Sequence, residues 1–383
     1  MEKKVLFVAT VAKKHICQFH IPYFKMLNDS GYSVDVCAGN DFGSDEGCRI
    51  PNCNRFFSIP FDRNPFSINN LKAYRQLRKV LKENSYDLVH CHTPVASAIA
   101  RIAVRSSKKK IPVIYTTHGF HFFKGAPRSS ILYYLIEKSL VKYTDSIITI
   151  NSEDFESAKK ICKGTSCKPY YVHGTGVDIQ KIQNTVVDKK ALKQTFGIPE
   201  DAFVLLSVSE INRNKNLTTT LSALRKLDDP DVYYVICGEG DMLDEYKKHA
   251  AELGVEKRVL FLGYRYDIFQ IVHIADIFLF PSLREGLGIA PIEAMSAGIP
   301  VIASDIRGVR EYARDGYNGF LFRPDDSEGF AKAIAELKKD PEKRKNFGAN
   351  AFNSVEPFDI RNSLRSVAKV YSDYLDISYT DGI

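Results

Sequence analysis

Ile277-Phe-Leu-Phe280-Pro-Ser-Leu-Arg-Glu285-Gly-Leu-Gly288-Ile-Ala-Pro-Ile-Glu293-Ala-Met-Ser-Ala297-Gly-Ile-Pro-Val301-Ile-Ala303 spells out one strand–loop–helix–strand unit in a chain of 383 residues. Ile277–Phe280 is an apolar run of strand length. Gly286-Leu-Gly288 makes a flexible turn, Ala290–Ala297 reads as a helix, and Val301–Ala303 is the next strand. Strands that are apolar along their whole length are buried on both faces, as in a parallel sheet with helices on either side.

The same alternation runs through the chain. Upstream in the second half, Phe203–Ser209, Val232–Cys237 and Val259–Leu262 are further strands with helical stretches between them. The first half offers Val5–Thr10, Ser33–Ala38, Asp87–Cys91, Val113–Thr117, Ser146–Ile150 and Tyr170–His173. Amphipathic helices are predicted near Phe19–Ser30, Ser67–Glu83, Val95–Ser106, Ser129–Tyr143 and Glu153–Cys162. The expected fold class is α/β, with two Rossmann-like, doubly wound parallel-sheet domains. Residues 1–180 form the first, 181–356 the second, and the polar stretch Gln180–Lys190 links them. The tail 357–383 holds an amphipathic helix, Phe358–Leu375, that could finish the second domain or cross back onto the first.

Composition narrows the class. Hydrophobic residues make up 44% and charged residues 26%, which is globular and excludes a mostly disordered chain. No apolar run approaches the ~18 residues of a spanning helix. Met1-Glu-Lys-Lys leads directly into Val5–Thr10 without a signal-peptide core, so a cytoplasmic protein is expected. Residues 1–180 carry 26 Lys and Arg against 15 Asp and Glu, whereas residues 181–383 carry 27 against 31. A basic half points to nucleic acid, an anionic membrane surface or an acidic substrate, or simply to a solvated face. The eight cysteines contain no C-x-x-C pair and lack zinc-site spacing, so all eight are expected as reduced thiols and no metal site is expected.

Ligands of open parallel sheets bind beyond the carboxyl ends of the strands. The loop after Val5–Thr10 carries Lys13, Lys14, His15 and His20, and the loop after Val113–Thr117 carries His118 and His121. Glu210-Ile-Asn-Arg213-Asn-Lys215 follows Phe203–Ser209. In the quoted stretch the unpaired amides of a helix start would suit a diphosphate. Glu293, about a turn further in, could accept hydrogen bonds from two ribose hydroxyls, and Arg213 and Lys215 could neutralise a pyrophosphate leaving group. Taken singly, each of these is as well explained as a capping or surface charge; the flanking glycines favour the nucleotide site. Gly238-Glu-Gly240 has Leu243 in place of a third glycine, Gly174-Thr-Gly176 also lacks one, and no Gly-Lys-Ser/Thr loop exists. Dinucleotide and P-loop chemistry are therefore disfavoured.

The stretch Phe280–Ala303, with Glu285 and Glu293 in an E-x7-E spacing, resembles the signature of retaining family 4 glycosyltransferases, also called glycosyl transferases group 1. Gly174-Thr-Gly-Val-Asp178, Phe261-Leu-Gly-Tyr-Arg-Tyr-Asp-Ile268, Gly308-Val-Arg-Glu311 and Gly316-Tyr-Asn-Gly319 resemble it too, so the likeness spans essentially the whole chain. Within that family, His15-Ile-x-x-Phe-His20 and Thr117-His118-Gly-Phe are similar to bacterial capsule and exopolysaccharide enzymes. The resemblance implies a GT-B fold, two Rossmann-like domains facing across a cleft, with a last helix that returns to the first domain. It implies that Glu293 binds ribose, Glu285 a hydroxyl of the donor sugar, and the amides of Leu287, Gly288 and Ile289 the phosphates. Lys215 matches the family's diphosphate lysine, His118 matches the histidine lining the reaction centre, and Gly263 and Arg265 fall in a donor-side motif. Lys14, His15 and His20 would lie on the acceptor side, where the usual glycine pair is missing. The family's arginine, five residues before the lysine, is replaced by Glu210; Arg213 is the candidate to take its place.

The implied activity is retaining hexosyl transfer from a nucleotide sugar, by preference UDP-linked, to a polyprenyl-diphosphate-linked or other glycan acceptor, with no cofactor and no metal. With no carboxylate placed as a nucleophile, front-face attack assisted by the leaving phosphate is the expected course. The basic segments 101–110 and 124–128 could meet anionic headgroups at the inner face of the plasma membrane, each cation contributing ~1 kcal/mol at low salt. A non-catalytic nucleotide-sugar-binding subunit and a UDP-sugar epimerase of the same fold are the alternatives. A nucleic-acid-binding protein lacks any recognised module, and no nucleic-acid partner is expected.

Overall fold

The structure is a computed structural model that describes residues 3–43, 49–377 and 379. Cys48, expected as a reduced thiol, lies outside the described residues; the seven cysteines described are free thiols. Two compact units are present: Met1–Gly176 together with Arg361–Ile383, and Val177–Ile360.

The first unit is built on a seven-stranded sheet of β1 (Lys4–Val11), β2 (Ser33–Gly39), β3 (Arg55–Ser58), β4 (Leu88–His92), β5 (Val113–Thr117), β6 (Ser146–Thr149) and β7 (Lys168–Tyr171). The strand order is β3-β2-β1-β4-β5-β6-β7, and every pairing is parallel. Alternate residues of β1 enter different cores. Leu6 and Val8 pack with Val89, Ala100 and Tyr115, whereas Val5, Phe7 and Ala9 pack with Phe24, Val36 and Val367. Burial on both faces explains the unbroken apolar runs.

The second unit repeats the plan with β8 (Phe203–Val208), β9 (Val232–Cys237), β10 (Val259–Phe261), β11 (Ile277–Phe280), β12 (Val301–Ser304) and β13 (Gly319–Phe322), in the order β10-β9-β8-β11-β12-β13. Its pairings are parallel too. In each sheet the order reverses between two central strands, β1 and β4 in one, β8 and β11 in the other. Such switch points are where open α/β sheets bind ligands.

Several details differ from the expectations. The edge strands β3 and β13 are not evident as runs in the sequence: β3 begins and ends on exposed residues, Arg55 and Ser58, and β13 opens on a glycine. Gln180–Lys190 is not a free linker. Ile179–Gln183 and Lys189–Thr195 are helical, and Ile179 and Ile182 are buried. The second unit begins at Val177, which forms a bridge with Asp359 near that unit's end. Residues from Arg361 onward belong to the first unit. There Tyr371 on the helix Ile360–Tyr371 bonds His90, and Asp373 accepts hydrogen bonds from Lys168 and Tyr170.

Candidate active site

The loops after β8 and β11, at the switch point of the second sheet, are tied together by backbone and side chain. Leu283 N–H donates to Asn214 O at 2.8 Å, and Asn214 Nδ2 to Arg284 O at 2.9 Å. Asn216, held at φ +53°, donates from Nδ2 to Pro281 O and Pro324 O. This scaffold brings Lys215 to Glu285, with Nζ 2.6 Å from Oε1 and both side chains mostly sheltered from solvent. The ammonium also lies 5.1 Å from the centroid of the Phe280 ring. The two residues are 70 apart in sequence, and the fold makes them one group.

The helix following this loop spans Ile289–Ser296, one residue earlier than expected, and its N-cap is Gly288 with no side-chain cap. Gly288 has φ +83°, and a Cβ there would stand 2.9 Å from Phe280 Cε1, so only glycine fits the turn. The first-turn amides are thus left for an external acceptor. Glu293, one turn in, makes no hydrogen bond or ion pair among the described residues, and burial pushes its carboxyl up to about 7. A sheltered, unpartnered carboxylate beside an uncapped helix start is costly unless a ligand supplies donors.

Arg213 opens the short 3-10 turn that ends at Lys215 but is exposed and makes no ion pair among the described residues. Glu210 is also exposed and accepts from Asn212 Nδ2 at 3.1 Å. Gly263 O accepts from Gly238 N–H, and Arg265 is clamped on Asp267 by two bonds of 2.8 and 2.6 Å. Gly238 and Gly240 serve close packing: Cβ atoms there would lie 1.8 and 2.1 Å from the carbonyl oxygens of Ser209 and Ile211.

At the switch point of the first sheet the chain leaves β1 through a π-helical turn, Ala12–Cys17, before the helix Ile21–Asp29. The Asp41 carboxylate accepts from the amides of Lys13 and Lys14 at 2.5 and 3.0 Å. An internal anion therefore occupies the amides that follow the first strand, while both lysine side chains point into solvent-exposed positions. His15, His20 and His118 come together, joined by His92 from the end of β4. His15 Nε2 is 3.3 Å from His20 Nε2, and His118 Nε2 is 3.4 Å from His92 Nδ1. Burial, helped by the neighbouring imidazoles, holds His15, His20 and His92 well below the usual histidine range, and burial alone brings His118 down to about 4. His92 was not among the expected site residues. His90-Cys-His92 does signal it, because alternate residues of a strand share a face.

Comparison with known proteins fits this architecture. The model for glycosyl transferases group 1 matches residues 188–354, and that for glycosyl transferase 4-like proteins matches residues 4–151. The chain is 39% identical over 382 residues to EpsD of Bacillus subtilis (strain 168), named as a glycosyltransferase, covering 98% of both. The chain belongs to the group 1 glycosyltransferases. It is also 30% identical, over 79% of its length and 81% of the relative's, to an Escherichia coli UDP-Gal:alpha-D-GlcNAc-diphosphoundecaprenol alpha-1,3-galactosyltransferase. Among solved structures, Anabaena Alr3699/HepE in complex with UDP and glucose matches with a TM-score of 0.77 at 23% identity, covering 97% of this glycosyltransferase and 100% of that chain. Sucrose-phosphate synthase from Thermosynechococcus elongatus matches with a TM-score of 0.79 at 18% identity, covering 97% and 98%. The fold of this glycosyltransferase is GT-B.

One expectation about the basic half is corrected. Arg101 does not face solvent. It is fully buried, with Nη1 2.8 Å from Glu137 Oε2 and its guanidinium 4.4 Å from the centre of the Tyr115 ring. Among the described residues, no helix of this glycosyltransferase is long and apolar enough to cross a membrane.

Proposed function

We propose that this glycosyltransferase moves a hexosyl group, with retention, from a UDP-sugar to a polyprenyl-diphosphate-linked or related glycan acceptor in surface polysaccharide assembly. The observation that carries this is Glu293: an unpartnered, half-buried carboxylate one turn inside an uncapped helix start, beside the Lys215–Glu285 pair. Vicinal ribose hydroxyls are the donors it lacks. The amides of Leu287, Gly288 and Ile289 then take the phosphates, with Lys215 as the nearby cation and Arg213 as an exposed second one. Glu285 holds the Lys215 ammonium in place and receives a sugar hydroxyl.

As the sugar–phosphate bond breaks, negative charge gathers on the departing diphosphate and positive charge on the ring. Preorganised amides and Lys215 stabilise the first. The acceptor attacks from the face the diphosphate leaves, and the leaving phosphate oxygen takes the acceptor's proton, so charge and protons balance without a side-chain nucleophile. The names of the Escherichia coli relative and of the UDP complexes support the choice of UDP and of a lipid-linked acceptor. The transfer needs no resident cofactor, and no metal takes part in stabilising the leaving group.

The acceptor side includes a surface suited to an anionic membrane. The helix Ile131–Leu140 exposes Ile131, Leu132, Leu135 and Ile136, and Lys124, Arg128 and Lys138 are exposed beside them in sequence. Apolar side chains bordered by cations fit a headgroup interface. Calorimetric titration with UDP, GDP, ADP and NAD tests the donor site. UDP binding that is lost in Glu293→Ala supports it; binding to none of the four removes it.

A further inference from the structure

Beyond the donor site, and independent of it, the first unit carries a histidine cluster that takes no step in the proposed transfer. We infer that His15, His20, His92 and His118 form a binding site for a divalent transition-metal ion of the zinc type. One ring nitrogen from each lies within 4.8 Å of the others. Zinc–imidazole bonds of about 2.0–2.1 Å set the edges of a tetrahedral site at about 3.3–3.4 Å. Two of the pairs already stand at that separation, His15 Nε2–His20 Nε2 at 3.3 Å and His118 Nε2–His92 Nδ1 at 3.4 Å. As hydrogen bonds these contacts are long, since N–H bonds in proteins centre near 2.9–3.0 Å.

His90 shows what a satisfied buried histidine looks like in the same sheet. Its Nδ1 meets Tyr371 Oη and its Nε2 meets Thr116 Oγ1, both at 2.7 Å. His20 and His92 are just as buried, yet the nitrogens they turn into the cluster, His20 Nε2 and His92 Nδ1, meet only other imidazole nitrogens, at 3.3 and 3.4 Å. Bringing four imidazoles into contact adds a crowding that an ion at their centre explains. His15 stands on a π-helical turn, a rare distortion that recurs at functional sites. Imidazole donors without thiolate or carboxylate suit zinc, copper, nickel or cobalt rather than magnesium or calcium. Among the described residues, no acidic side chain joins the set. His15 and His118 are half-exposed at its rim, which gives an ion a way in.

Because the resemblance places His118 at the reaction centre, a change in activity would not separate loss of the ion from loss of that side chain, so activity is a poor readout. The test uses untagged full-length protein, stripped with a chelator, dialysed and titrated with Co²⁺ and then Zn²⁺. Expected are one equivalent of Co²⁺ with the intense visible bands of four-coordinate cobalt, loss of those bands on adding Zn²⁺, and a higher Tm with Zn²⁺. His15→Ala/His118→Ala, which changes only the half-exposed ligands, should lose the bands and the Tm shift while keeping its fold by circular dichroism. Should that variant not fold, His15→Ala alone with the same readout replaces it. Absence of the cobalt bands in the wild type, or equal binding in the folded variant, overturns the site.

Discussion

Glu285 and Glu293 lie on one loop–helix unit and meet opposite surroundings. Glu285 is matched to Lys215 at 2.6 Å; Glu293 has no partner among the described residues and its carboxyl is pushed up to about 7. Between pH 4.5 and about 7 the folded protein keeps a proton on Glu293 that the unfolded chain has released. Stability from this group therefore falls as pH rises through that window and is level above it. Glu293→Gln should raise Tm at pH 8 and leave it unchanged at pH 4, measured by calorimetry. Binding has the opposite sign, because two ribose hydroxyls need an ionised acceptor. Affinity for UDP-glucose, whose diphosphate diester does not titrate here, should drop toward tenfold per pH unit below 7. A flat profile would remove Glu293 from the ribose. Lys215→Ala should lower turnover about 10²–10³-fold, the usual loss for a group that stabilises developing charge. Glu285→Ala should cut turnover by a comparable factor while UDP binding survives; unchanged turnover in either variant refutes the assigned role.

The helix Ile131–Leu140 is amphipathic the wrong way round for a core helix. Glu137 is buried against Arg101, and Leu132 and Leu135 are 56% and 54% exposed. Apolar periodicity announced a helix over Ser129–Tyr143, but periodicity does not say which stripe faces inward. Arg101 misled for the same reason, since a lone arginine in a basic run looks like surface. Its partner Glu137 is 36 residues away, and only the fold supplies it. Removing one member of a buried pair costs about 3–5 kcal/mol because the other charge is stranded. Glu137→Gln should lose stability on that scale in urea unfolding. Leu132→Glu/Leu135→Glu, on the outward stripe, should leave stability within about 0.5 kcal/mol. If this stripe meets lipid, the same pair of changes should abolish flotation with anionic vesicles. Retained flotation would point to the cations alone.

At the scale of the whole molecule, the parallel strands were legible because burial on both faces leaves runs that no other element explains. The donor-side residues were legible because glycines and carboxylates crowd one loop. What stayed hidden depends on contacts between distant segments: the edge strands β3 and β13, the place of His92 beside His15, His20 and His118, and the Asp41 carboxylate on the Lys13 and Lys14 amides. The first unit is discontinuous, and its core is completed by Val367, Ala368, Val370, Tyr371 and Leu375 from the far end of the chain. Tyr371 fixes the join, with its ring fully buried and its hydroxyl 2.7 Å from His90 Nδ1. Tyr371→Phe keeps the ring and strands one imidazole nitrogen, which should cost about 1–3 kcal/mol. Tyr371→Ala opens a cavity as well and should cost about 3–5 kcal/mol. The second unit, Val177–Ile360, contains every residue assigned to the nucleotide, so UDP affinity under native conditions should be the same in both variants. Urea unfolding read by circular dichroism, beside titration with UDP, separates the two effects. Parallel loss of stability and of UDP affinity would show that nucleotide binding also needs the first unit's core to be intact.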